Sequence, residues 1–241
     1  MTERTLTVED LRQAAPLILE CIDFRTREGN ALWLARRGYS EGTYHVYASA
    51  GASGNSTGFL DDVYKQNPSV VKALDHEDCG FYKANGLYVN GNEPHQAHHH
   101  NLESLGATLH DLNPYVDYRY NLLHLNREQR KRHTCPAVVI ELGEPDIVKA
   151  TRQTMAELGL ANDYDKIARP YTLSATDQSI WDNLKISLRL HHPTRLFIFD
   201  RSKQNAEDLS ATALDIDSNL AITRVIVDKL SQPSRFATIT G

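Results

Sequence analysis

The chain has 241 residues, 41% of them hydrophobic and 24% charged, and its 26 basic and 31 acidic side chains leave a net charge of −5. That profile excludes extended disorder and fibrous repeats, and it lacks the basic excess that a nucleic-acid partner calls for. No apolar run approaches the ~20 residues of a membrane helix, and residues 1–15 lack a signal-peptide core, so a cytoplasmic protein with no membrane partner is expected.

In chain order, the run Pro16–Ile22 reads as a buried strand. Residues 28–37 suit a helix carrying Leu32, Leu34 and Ala35. Tyr44–Ala48 reads as a second strand and ends in the small residues 49–54, which let backbones approach closely. A short helix with Phe59, Leu60 and Val63 stops before Pro68, and a third strand follows at Val70–Leu74. Residues 80–93 form a Gly- and Asn-rich loop. A helix over 94–111 places Leu102, Leu105 and Leu109 on one face, and residues 115–124 read as a strand. The charged run 126–133 reads as a solvated linker.

Beyond it, Ala137–Ile140 is a strand. Residues 144–159 form an amphipathic helix with Ile147, Val148, Thr151, Met155 and Leu158 inward. A weaker strand lies within 164–173. Ile180, Trp181, Leu184 and Leu188 mark a helix that ends near His191-His192-Pro193, and Leu196–Phe199 is a buried strand. Residues 216–230 read as a helix through Ile216, Leu220, Thr223, Val227 and Leu230, and a last strand spans 236–240.

The fold class is thus α/β, and the order of elements in residues 1–126 recurs in 127–241. Two degenerate repeats in one chain are expected. The first half aligns element by element with the second, with Cys21–Arg25 falling on 142–146 and His76–Gly80 on 200–204.

Three cysteines in a long chain argue against a disulfide framework, and with 11 histidines they direct attention to a metal site. Cys21-Ile22-Asp23-Phe24-Arg25 follows the first strand, and His76-Glu77-Asp78-Cys79-Gly80 follows the third. In open α/β sheets, ligands gather at the carboxyl ends of strands. His76 and Cys79 are close enough for one turn to present both to one ion, and Cys21 comes from a neighbouring strand end. Two thiolates and an imidazole suit Zn²⁺ and leave a fourth position open. Asp23 and Arg25 alternate onto the face of Cys21, where Arg25 can hold Asp23 ionised. Asp23 can then accept a hydrogen bond from metal-bound water or occupy the open position itself.

These two motifs, 55 residues apart, resemble those of the β-class carbonic anhydrases, which carry Cys-x-Asp-x-Arg and His-x-x-Cys-Gly at a similar distance. The resemblance covers residues 16–125. It implies a three-layer α/β sheet flanked by helices, with Cys21, His76 and Cys79 on zinc and Asp23 with Arg25 as a catalytic dyad. It further implies hydration of CO₂ to bicarbonate by metal-bound hydroxide, a zinc lyase (carbonate dehydratase) activity. The same site also suits COS or CS₂ as substrate.

Ala48-Ser49-Ala50-Gly51 stands where the family usually carries an Arg-Asn-x-Gly-like segment, a departure that bears on its usual dimer contacts and substrate-side packing. Residues 142–146 and 200–204 carry no ligands, so the second half has no zinc of its own. Family members pair two domains with each site near the interface. A fused silent half then makes an internal pseudo-dimer, and homo-oligomers of it are open. The competing reading is a non-catalytic, zinc-stabilised interaction protein. His95, His98, His99 and His100 open the helix at 94–111, where His95 and His99 share a face. A second metal site and a proton relay are open to them, but they read best as a solvated helix end. Cys135 reads as a bystander.

Overall fold

A computed structural model describes residues 15–40, 43–88, 94–132, 135–141, 145–160, 178–227 and 233–239. The first half runs β1 (Leu17–Cys21), α1 (Arg27–Ala35), β2 (His45–Ser49), α2 (Thr57–Gln66), β3 (Val70–His76), α3 (Gly80–Ala84), α4 (Pro94–Leu112) and β4 (Asp117–Leu123). A one-turn helix, α5 (Arg127–Arg130), leads to the second half. There β5 (Ala137–Glu141), α6 (Pro145–Glu157), α7 (Gln178–His191), β6 (Arg195–Asp200), α8 (Lys203–Ile216), β7 (Ala221–Val227) and β8 (Pro233–Ile239) follow.

The strands form two sheets flanked by helices. The first has the order β2-β1-β3-β4 with every pair parallel. Because β1 pairs with both β2 and β3, the connections leave it in opposite directions, which opens a crevice at the strands' carboxyl ends. The second sheet has the order β5-β6-β7-β8; its first three strands are parallel and β8 is antiparallel to β7. No helix among the described residues is long and apolar enough to cross a membrane.

Alternation along the strands sends side chains to two cores. Leu17, Leu19 and Cys21 of β1 join Val71, Ala73, Phe59, Leu102, Leu105 and Leu109 on one face. Ile18 and Ile22 point to the other, where Leu34, Val46, Ala48 and Ala50 pack. Ile186 of the second half reaches this face too. In the second sheet, Val138, Ile140, Leu196 and Ile198 meet α7 and α8, and Val139, Phe197 and Val225 meet Ile147 and Met155 of α6.

Helix α7 joins the halves because it has two working faces. Ile180, Leu184 and Leu188, each a turn apart, pack on the second sheet. Asn183 faces the first sheet, where its Oδ1 accepts from Ala50 N–H at 2.9 Å and its Nδ2 donates to the Ala48 carbonyl at 3.2 Å. The small residues after β2 let this helix approach. At Gly51, φ is +84°, and a Cβ there would lie 2.3 Å from the Phe81 ring, so both the turn and the packing exclude a larger residue.

Several sequence expectations are corrected. The helix expected over 216–230 is overturned by Ala221–Val227, which is β7, and the helix lies earlier, at Lys203–Ile216; residues 228–230 lie outside the described residues. Ser202 caps that helix by accepting from Asn205 N–H, and its inward residues Ala206, Leu209 and Ala213 give a weaker apolar signal than the β-branched run that follows. The run 126–133 is not simply a linker. Asn126 and Gln129 form a capping box, and Gln129 Nε2 donates to the Arg25 carbonyl at 3.0 Å. The loop at 80–93 begins as α3. Leu158 lies beyond the end of α6 and is exposed, not inward. The weaker strand within 164–173 lies outside the described residues, as do residues 142–144.

Candidate metal centre

Cys21 is the last residue of β1, and His76 the last of β3. The chain must then turn sharply to return Cys79 to the same point. Asp78 makes the turn with φ +64°, a left-handed conformation that Asp tolerates better than most residues. Its carboxylate secures the turn through Arg25, at 3.5 Å, and through Lys83. Cys79 caps the short α3 and is buried, as are Cys21 and His76.

Ligand atoms of Cys21, His76 and Cys79 all lie within 4.8 Å of one another, and the two sulfurs are 3.9 Å apart. This cluster can hold a metal ion. His76 is set for it: Nδ1 donates to the Glu77 carbonyl at 2.8 Å, and Nε2 is buried without a hydrogen-bond partner. A histidine ligand oriented by a carbonyl on its other nitrogen is the usual arrangement around a bound metal.

Protonation in the metal-free cluster follows from proximity. A hydrogen bond from the Cys21 thiol, with the neighbouring His76 charge, holds the Cys79 thiol well below its usual range. The same hydrogen bond to Cys79, together with burial, pushes Cys21 well above it. Burial opposes charge on His76, but the Cys79 thiolate, Asp23 and Asp75 push it up to about 9. At neutral pH the cluster is therefore a thiolate, a thiol and an imidazolium. A metal must displace the Cys21 and His76 protons, so uptake is expected to release about two protons per ion at pH 7. Affinity should rise steeply with pH up to about 9, where His76 loses its proton, and less steeply above it while the Cys21 thiol still holds its own. Calorimetric titration in buffers of different ionisation enthalpy reads the proton count directly.

Asp23 caps the 3₁₀ turn Phe24–Thr26, accepting from Arg25 N–H at 3.0 Å. Both its oxygens also engage the Arg25 guanidinium, with Nε at 2.9 and 3.0 Å and Nη2 at 2.5 Å. Oδ2 lies 3.7 Å from His76 Nε2. Burial disfavours the charged carboxylate, but His76 and Arg25 outweigh it and bring Asp23 down to about 2. The five residues singled out in the two motifs thus converge at the ends of β1 and β3.

Some contributors were missed by sequence reasoning. Asp75, just before His76, is buried and serves three donors. Its Oδ1 accepts from His76 N–H at 3.0 Å, and its Oδ2 accepts from Ser53 Oγ at 2.5 Å and Tyr82 OH at 3.3 Å, while His98 Nδ1 lies 3.0 Å from Oδ2 without a hydrogen bond. Burial beside Asp75 pushes the Tyr82 hydroxyl's pKa up, keeping it a donor. An acidic residue inside an apolar strand was the available signal. His98 corrects the reading of a solvated histidine cluster: it is wholly buried under Tyr82, with ring centroids 3.8 Å apart. His95 and His99 do share a face, packing edge-on at 5.1 Å. They are not in the ligand cluster of Cys21, His76 and Cys79, which is the one found among the described residues. Cys135 is buried in the second core and is not among the clustered residues.

The cavity beside the cluster has a volume of about 170 Å³. Cys21, Asp23, Arg25 and Cys79 form one side, and Ile186, Leu190 and His191 of α7 the other. Phe24, Phe81 and Ala50 make the wall largely apolar, and Arg132, after α5, also lines it.

No known family matches the chain, and no curated protein matches it. Among solved structures, the crystal structure of a sugar transporter from Clostridium phytofermentans aligns over 95% of this chain and 100% of that one, at 11% identity and a TM-score of 0.30. A likeness that low carries no argument about fold or function.

Proposed function

We propose that the protein is a zinc enzyme of the β-carbonic-anhydrase type that hydrates CO₂ to bicarbonate. One observation carries the reading: a Cys-His-Cys cluster and an Asp–Arg pair, from two separate motifs, meet at one small, largely apolar cavity. The donor set fits zinc. Two thiolates at ~2.3 Å from a tetrahedral ion stand about 3.8 Å apart, and the sulfurs here are at 3.9 Å. Bound Zn²⁺ would supply a water acidic enough to ionise near neutral pH.

The chain's own groups do the rest. Asp23, held down to about 2, carries no proton at neutral pH and can only accept a hydrogen bond. Arg25 engages both carboxylate oxygens, which would hold Asp23 off a bound metal and leave it remaining lone pairs to orient a donor in the cavity. Ile22, Phe24, Ile186 and Leu190 offer an apolar wall, which favours an uncharged linear substrate over bulk water.

The two halves read as degenerate repeats that form an internal pseudo-dimer. Strands β1-β3-β4 and β5-β6-β7 share order and direction, and β7 follows α8 as β4 follows α4. The departure at Ala48–Gly51 is met by Asn183 from the other half, which bonds to that segment's backbone.

Stopped-flow CO₂ hydration on protein with one zinc per chain tests the reading. Hydration between pH 6 and 9 is expected. Turnover of COS or CS₂ without it moves the assignment to the heterocumulene hydrolases, and turnover of neither leaves a zinc-stabilised binding protein.

A further inference from the structure

The cavity holds one buried polar side chain that neither the candidate metal cluster nor the Asp23–Arg25 pair explains. His191 ends α7 and lines the cavity from the side of the second half. It is 93% buried, being 7% exposed, and its Nε2 has no hydrogen-bond partner. Its placement is well defined. The ring packs edge-on against Phe24, with centroids 5.1 Å apart, and its carbonyl accepts from Cys135 N–H at 3.1 Å. Phe24 sits between Asp23 and Arg25 in sequence, so the contact fixes His191 relative to the pair.

A buried nitrogen with no partner is unfavourable unless something else supplies the hydrogen bond. Leu190 and Ile186, its neighbours on the cavity wall, offer none. Arg132 is exposed, at the mouth. Burial holds the His191 pKa below its usual value, so the imidazole is neutral at neutral pH. One ring nitrogen then donates and the other accepts. The cavity, about 170 Å³, has room for a ligand of three or four heavy atoms.

We propose that His191 is the ligand-contacting residue contributed by the second half, and that it hydrogen-bonds a small oxyanion such as bicarbonate held between α7 and the Cys21-His76-Cys79 cluster. Bicarbonate carries both a hydroxyl and anionic oxygens, so it satisfies either tautomer. The half without metal ligands is then part of the site, which explains why its helix is kept against the first sheet. This rests on the metal reading above.

The test is a bicarbonate titration of the full chain loaded with Co²⁺ in place of zinc, followed by the visible absorption of the cobalt. His191→Phe keeps the aromatic contact with Phe24 and removes both nitrogens. It is expected to take up one cobalt per chain as the native protein does, but to bind bicarbonate on the order of tenfold more weakly. His191→Gln, which keeps a hydrogen-bonding side chain, is expected to retain most of the affinity. Unchanged bicarbonate affinity in His191→Phe, or no bicarbonate response in the cobalt-loaded native protein, overturns the proposal and leaves the metal centre standing. Failure of the native protein to bind cobalt overturns both.

Discussion

Asp23→Ala is expected to lower CO₂ hydration by about a hundredfold or more, the usual scale of a lost acid–base or orienting group, while zinc stays at one per chain. The separation of the two readouts follows from geometry. Asp23 is not one of the three clustered residues, and its oxygens are anchored by Arg25. Removing it deprives a donor in the cavity of its acceptor and leaves Arg25 only Asp78, through its carbonyl at 3.3 Å and its carboxylate at 3.5 Å. Asp23→Asn makes the finer test, because the amide oxygen can still cap the turn at Arg25 N–H. It is expected to keep the fold and the metal and to lose the activity. Parallel loss of zinc would make Asp23 a ligand, and full activity in either variant would remove the dyad from the reaction.

Asp75→Leu is expected to destabilise the protein by about 3–5 kcal/mol, the scale for a broken buried polar network. A chain of this size then loses on the order of 10 °C in melting temperature. Three donors converge on this buried carboxylate and lose it as acceptor, His76 N–H, Ser53 and Tyr82, and Ser53 and Tyr82 keep only the hydrogen bond between them on that side. Because one of them is the backbone of His76, in the cluster proposed to hold zinc, zinc affinity should fall too, by about 10–100-fold, the range seen when groups supporting a metal ligand are removed. Asp75→Asn keeps an acceptor oxygen and should recover most of both losses. Thermal unfolding and zinc competition titration read the two effects. An unchanged melting temperature in Asp75→Leu would show that the network contributes nothing to stability.

The elements that the chain announced most clearly are those with one strong signal. The strands β1, β3, β5 and β6 are short apolar runs, and α4 is a long stretch with Leu102, Leu105 and Leu109 a turn apart. The failure at 216–230 shows the limit. Ile216, Leu220, Thr223 and Val227 fit a helical spacing, yet Ile222, Thr223, Val225, Ile226 and Val227 are β-branched and pair with β6 and β8. Composition should have outweighed spacing there. The preceding helix hides its inward face in Ala206 and Ala213, residues too small to mark a periodicity.

By itself, the sequence determined the chemistry available. Cys21, Asp23 and Arg25 lie within five residues, and His76 and Cys79 within four, so each group needs only a strand end and one turn to present its atoms. Only the tertiary structure decided what those groups face. Parallel pairing of β1 with β3 brings the sulfurs to 3.9 Å across 58 positions of chain. Packing of α7 on the first sheet closes the cavity with Ile186, Leu190 and His191. Neither follows from local pattern. A residue's hydrophobicity records how far it leaves water, but not which of several apolar surfaces it leaves water for. That choice is made by the simultaneous packing of both faces of a helix such as α7.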